Sequence, residues 1–193
     1  MSGWNGHAAG TAGLRDQPWF RCFGCSSHHP QGLRLDPRRT APDEVACTVV
    51  FGPDLCSYPG ITHGGIVTTA VDDVMANLIL IERGVLVFSA TLRTRFLQPV
   101  ATGRPYRIIA RITRSWEGGY RTEAEVVTPE GAQALVAEAT YAHVRPEHLG
   151  DLMAVGGEAA ARLRPHLAPS DRIGAESDST ATCAMDDTER TQP

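Results

Sequence analysis

Residues 58–76 read Tyr58-Pro-Gly60-Ile-Thr-His63-Gly64-Gly65-Ile66-Val-Thr-Thr-Ala-Val-Asp72-Asp73-Val-Met-Ala76. The paired glycines allow a tight turn and close approach to a ligand, and the helix start that follows offers unpaired N–H groups to negative charge. From Ile66 the apolar positions fall at 66, 67, 70, 71, 74, 75, 78 and 79, which is helical spacing with one broad buried face. Gly84 is placed to stop that helix.

Outward from the helix the pattern changes to strands. From Leu86 the chain alternates, with Phe88, Ala90, Leu92, Thr94 and Phe96 on one side and Ser89, Thr91, Arg93 and Arg95 on the other. Further strands are predicted over 106–114, 120–128 and 133–144. They are separated by Glu117-Gly118-Gly119 and Pro129-Glu130-Gly131, short enough for hairpins. An earlier strand is predicted over Val45 to Phe51. One long helix with an antiparallel sheet is an α+β arrangement.

Gly60-x-x-His63-Gly64-Gly65 followed by Asp72 resembles the PaaI-like branch of the hotdog-fold thioesterases. Cys22-Phe23-Gly24-Cys25 and then Pro30-Gln31-Gly32-Leu33 are similar to that family's Cys-x-x-Cys and Asn-Pro-x-Gly-Leu lead-in, with His29 where asparagine is usual. Ser89 through Phe96-Leu97-Gln98-Pro99 is similar to the strand that follows the family's helix. The resemblance covers roughly residues 20 to 145 and implies a hotdog fold, one central helix wrapped by an antiparallel sheet. No cofactor and no metal are expected. The resemblance also implies a homo-oligomer, a dimer or dimer of dimers, with sites between subunits.

Composition bounds the remaining possibilities. The chain has 193 residues, enough for one domain with a real core. Residues 147–193 hold nine acids and four arginines, so the net charge of -4 belongs to the tail and the rest is near neutral. That argues against nucleic-acid binding, which needs a clustered basic surface. We expect a flexible arm over 1–18, the folded domain over 19–146 and an acidic, largely disordered tail over 147–193 with at most a short helix at 158–163. Five cysteines and no apolar signal core in residues 1–13 suggest a reducing cytoplasm. The longest apolar stretch, Val74 to Ile81, is short of the ~20 residues that cross a bilayer, so no membrane partner is expected.

The candidate chemistry gathers on the helix and its loop. The resemblance assigns Asp72 as the carboxylate that attacks a thioester or activates water, and both roles need its ionised form. Periodicity does not separate it from Asp73, since the two lie just past opposite borders of the apolar face. Two solvated helix acids are the plain alternative. Gly64 and Gly65 are candidates for the backbone N–H that holds the oxyanion, with Gly64 the donor that the resemblance favours. His63 either orients the carbonyl or holds the loop. Ser89, on the polar side of its strand, is placed by the resemblance to help position water, and Ser57 stands where relatives often carry Asn, Gln or Glu. Tyr58 and Ser57 are candidate substrate contacts. Arg93, Arg95 and Arg104 could meet the phosphates of coenzyme A, or form a solvated face with Glu123 and Glu125. Acyl length would be set by side chains such as Phe88, Met75, Leu78 and Tyr58.

Cys22-x-x-Cys25 beside His28 and His29 has zinc-ligand chemistry, but no second pair follows at finger-like distance, which favours a packed N-terminal cap. The expected activity is hydrolysis of acyl-CoA or acyl-carrier-protein thioesters. Two alternatives use the same pocket. One is a lyase, cyclase or isomerase with an aspartate as general base, and the other is a non-catalytic acyl-binding protein, which the serine at 57 favours.

Overall fold

A computed structural model describes residues 12–144 and 161–163 of the chain. In order these form α1 (Ala12–Arg15), β1 (Arg38–Ala41), β2 (Glu44–Val50), a single 3-10 turn at Pro53–Leu55, β3 (Cys56–Tyr58) and β4 (Ile61–Thr62). They continue with α2 (Gly64–Arg83), β5 (Val87–Phe96), β6 (Pro105–Trp116), β7 (Gly119–Val127) and β8 (Gln133–His143). Six strands make one antiparallel sheet in the order β1-β2-β6-β7-β8-β5, and β3 with β4 forms a small hairpin before the helix.

The sheet closes around α2. Inward positions alternate along each strand, giving Val45, Cys47 and Val49 on β2, Tyr106, Ile108 and Ala110 on β6, Ala124 and Val126 on β7, and Leu135, Ala137, Ala139 and Tyr141 on β8. Against them α2 buries Val67, Ala70, Val71, Val74, Met75, Leu78 and Ile79, the face that the helical spacing predicts. The helix is 20 residues long, and an 18-residue window of it has a mean hydropathy of 1.5, values that a bilayer-crossing helix also has. Here that apolar surface packs the domain core instead. Gly84 ends the helix in the left-handed region, with φ 68°, and its N–H donates to the Leu80 carbonyl. Gly118 and Gly131, both at positive φ, turn the two hairpins at the expected places.

Two features depart from the sequence reading. The arm expected over 1–18 is packed at Leu14 and Arg15: Leu14 is buried, and Arg15 donates to the carbonyls of Cys25 and Arg34 and pairs with Asp36 at 3.2 Å. An apolar side chain and an arginine with three partners anchor it. The second departure is in β5, where the pairing with β8 slips between Ser89 and Thr91, leaving Ala90 as an extra residue. This bulge shifts the alternation by one residue, so that Ser89 and Leu92 share the helix side where strict period two puts them on opposite sides. The tail expected over 147–193 lies outside the described residues except at 161–163. That short helical piece sets the Arg162 guanidinium 6.0 Å from the ring centre of Trp19.

Candidate functional site

The turn before α2 is built from its own polar groups. His63 caps the helix: its Nδ1 accepts the Gly65 N–H at 3.0 Å, and its carbonyl accepts the N–H groups of Ile66 and Val67. His63 therefore holds the loop. The Gly64 N–H is left as the first-turn amide with no acceptor among the described residues, at the positive end of the helix dipole. A Cβ on Gly64 would touch the Phe96 ring at 3.4 Å, so the end of β5 covers this turn.

Two turns along the helix, Asp72 faces β5 and β8. Ser89 Oγ and Tyr141 OH each donate to Asp72 Oδ1 at 2.6 Å, and Tyr141 OH also reaches the Asp72 carbonyl at 3.0 Å. Both side-chain bonds fall on one oxygen. Oδ2 receives no donor among the described residues, so its lone pairs are not engaged by them. Burial, and then the neighbouring Asp72 carboxylate, pushes the Tyr141 phenol above its ordinary value of 10, so it stays protonated and donating. The bulge at Ala90 is what turns Ser89 toward the helix.

Tyr141 is the residue that sequence reasoning missed. Its partner lies 69 positions away, so no local pattern joins them. The available signal was a tyrosine in line with the inward leucine and alanines of its strand, because a buried phenol needs an acceptor.

Asp73 faces the other way, toward the N-terminal segment. Cys22 Sγ donates to Asp73 Oδ1 at 3.1 Å, and Asn77 Nδ2 donates to Asp73 Oδ2 at 2.9 Å and to its carbonyl at 2.8 Å. Burial and then Cys22 push the Asp73 carboxyl well above the usual range. The hydrogen bond from Cys25 leads the effects that pull the Cys22 thiol down to about 5, and the same bond raises Cys25. The two helix acids thus occupy opposite borders of the buried face, as their spacing implies.

The remaining candidates do not converge on Asp72 within one chain. Ser57 and Tyr58 lie exposed on β3. Arg104 pairs with Glu130 at 2.6 Å on the surface. Arg93 stands opposite Glu138 and Arg95 opposite Val136, both exposed on the outer face of the sheet. They border a hollow of about 500 Å³ with Arg111, Glu123 and Glu125, and Asp72 does not line it. Met75 and Leu78 are sealed in the core, while Phe88 and Tyr58 are exposed.

Gly64 and Asp72 themselves are separated by eight residues of one helix, about 12 Å at 1.5 Å per residue. That is too far for both to serve one carbonyl group in the same chain. The unpaired side of β5, ten residues long and carrying exposed Phe88 and Phe96 with Leu97 just beyond, is the longer of the two free sheet edges.

Comparison with known structures decides the fold. The E. coli PaaI protein, from the phenylacetic acid degradation operon, superposes with a TM-score of 0.55 at 14% identity, covering 58% of this chain and 81% of that one. RHA08564, a thioesterase superfamily protein, gives 0.59 at 17% identity over 63% of this chain and 62% of its own. This chain has the hotdog fold. A third hotdog neighbour, smu.793 from Streptococcus mutans bound to acetyl-CoA, gives 0.53 at 16% identity over 57% of this chain and 88% of that one. No protein-family model matches the sequence. An uncharacterized Schizosaccharomyces pombe protein, C26H8.11c, is 30% identical over 109 residues, which take in 52% of this chain and 61% of that protein. The chain thus spans less than two thirds of that relative's length.

Proposed function

We propose that this hotdog protein hydrolyses acyl thioesters of coenzyme A or of an acyl carrier protein, working as a dimer or dimer of dimers. The observation that carries the reading is the state of Asp72. Two hydroxyl donors fix one carboxylate oxygen and leave the other open, which suits a group that must take a proton from water or attack a carbonyl. In the water route, Oδ2 accepts a proton as water adds to the thioester carbonyl. The resulting oxyanion is held by the Gly64 N–H, and collapse expels the thiolate, which leaves as the thiol after taking up that proton. Water and thioester are consumed, and acid and thiol are formed.

The separation of Gly64 from Asp72 within a chain supports a shared site, in which Asp72 of one subunit meets Gly64 of another. The free edge of β5, with its exposed aromatic side chains, is the surface by which we join the subunits. The bound acetyl-CoA of the S. mutans neighbour supports a coenzyme A thioester as ligand. Exposed Arg93 and Arg95 form no ion pair among the described residues, which leaves them available for phosphate groups.

The test is to incubate the protein with a panel of acyl-CoAs and detect free thiol, in parallel with binding of the same compounds. Thiol release that Asp72→Asn abolishes while binding persists is the expected result. Near-full activity in Asp72→Asn removes that carboxylate from the mechanism. Tight binding by the unaltered protein with no thiol release would establish the acyl-binding alternative in its place.

A further inference from the structure

The segment from Cys22 to Leu35 lies along the opposite border of α2 from Asp72, and its contact with the helix is made by three groups of metal-ligand type. Cys22 Sγ, Cys25 Sγ and an Asp73 carboxylate oxygen all lie within 4.8 Å of one another, with Cys22 Sγ 3.1 Å from Asp73 Oδ1. In a tetrahedral zinc site with Zn–S near 2.3 Å and Zn–O near 2.0 Å, ligand atoms sit roughly 3.5–3.8 Å apart. The three atoms are therefore close enough together to form one face of such a tetrahedron, with the Cys22–Asp73 pair a few tenths of an ångström closer than an ion between them would set it. The sequence showed only two of these three donors, because the third comes from a helix residue 48 positions beyond Cys25.

The surroundings match the demands of a bound cation. No arginine or histidine pairs with Asp73 among the described residues. Its hydrogen-bond donors are the Cys22 thiol and the Asn77 amide, which leaves an enclosed carboxylate without a positive partner. Asn77 in turn fixes the other carboxylate oxygen of Asp73 at 2.9 Å and is itself buried. Gly24 is needed for this approach: a Cβ there would lie 2.2 Å from Asp73 Cγ. Cys25 is buried and Cys22 is half-exposed, so the site is enclosed yet open to metal entry on one side.

We propose that Cys22, Cys25 and Asp73 bind one zinc ion that staples the N-terminal cap to the central helix, with water or a turned Asn77 carboxamide at the fourth position. This revises the reading of the Cys-x-x-Cys pair as a metal-free cap. The site stands apart from the thioesterase reading, since Asp73 and Asp72 lie on opposite borders of the helix. Thiolate ligands with one carboxylate favour zinc over magnesium or calcium, which prefer all-oxygen shells. Binding displaces to solvent the protons held by the cysteine and aspartate ligands and changes no oxidation state.

The test uses the full chain, purified without added metal and without chelator, for metal analysis. It is then stripped under strict reduction and titrated with zinc against a chromogenic chelator. Cobalt(II) serves as the spectroscopic probe for thiolate ligation. We expect one zinc per chain and a thiolate-to-cobalt charge-transfer band. Cys25→Ser and Asp73→Asn should each weaken zinc binding by at least about 100-fold, and Asn77→Ala by about 10-fold through loss of its support to Asp73. Should Cys25→Ser fail to fold by circular dichroism, Cys22→Ser at the half-exposed ligand decides in its place. Reduced protein that takes up no stoichiometric zinc, or stoichiometric binding that survives loss of the cysteine, overturns the assignment.

Discussion

Replacing Tyr141 by Phe deletes one hydroxyl from a fully buried ring and tests whether that hydroxyl holds the Asp72 carboxylate. The hydroxyl donates at 2.6 Å to Asp72 Oδ1 and at 3.0 Å to its carbonyl. A hydrogen bond to a charged group contributes about 1.5–3 kcal/mol, a neutral one about 0.5–1.5 kcal/mol. Ser89 still bonds Oδ1, so the oxygen is not left bare and the loss should fall near the middle of the charged range, about 2 kcal/mol. For a chain of this size that lowers Tm by about 4–8 °C. In an Asp72→Asn background the lost bond is neutral, and the same substitution should cost only about 1 kcal/mol. A double-mutant cycle by urea denaturation with unchanged m-values should then return a coupling near 1 kcal/mol. A cost below about 0.5 kcal/mol in the parent, or equal costs in the two backgrounds, refutes a charged Asp72 gripped by Tyr141.

Other expectations follow from single contacts. Gly24→Ala places a Cβ against Asp73 and should loosen the cap, which limited proteolysis between residues 16 and 36 will register; an unchanged digestion pattern counts against the close approach. Phe88→Glu puts a charge on the free edge strand and should shift the protein to monomer in size-exclusion chromatography, with loss of thiol release. Burial and Asp72 raise the Tyr141 phenol above its ordinary value of 10. That group therefore binds its proton more tightly folded than unfolded, and its stabilising contribution is complete below pH 10 and declines only above it. Denaturation midpoints of parent and Tyr141→Phe should accordingly differ by a constant amount between pH 7 and 9.

The helix was legible because its signals are local. The apolar spacing from Ile66 to Ile79, the stop at Gly84 and the two glycine hairpins each depend on residues a few positions apart. The resemblance of the His63-Gly64-Gly65 turn and Asp72 to a known family then supplied the hotdog arrangement that the superpositions show. What was hidden depends on contacts distant along the chain. The bulge at Ala90 arises only where β5 meets β8, and it reverses the side on which Ser89 was expected relative to Leu92. Tyr141 reaches Asp72 from the last strand, and Asp73 meets two cysteines that precede it by about fifty residues. The packed start at Leu14 and Arg15 was masked by a Gly- and Ala-rich composition, which signals flexibility when read without its partners.

The most direct measurement is complementation between two inactive variants. Asp72→Asn removes the carboxylate. Gly64→Pro removes the proposed oxyanion donor at a first helical position where proline is well tolerated, following a His63 already at φ -60° and ψ 126°. If each site joins Asp72 of one subunit to Gly64 of another, mixed dimers carry one intact site of two. Randomly reassorted subunits should then recover about a quarter of the parent thiol release. A mixture that stays as inactive as its components, with subunit exchange verified, contradicts the shared site.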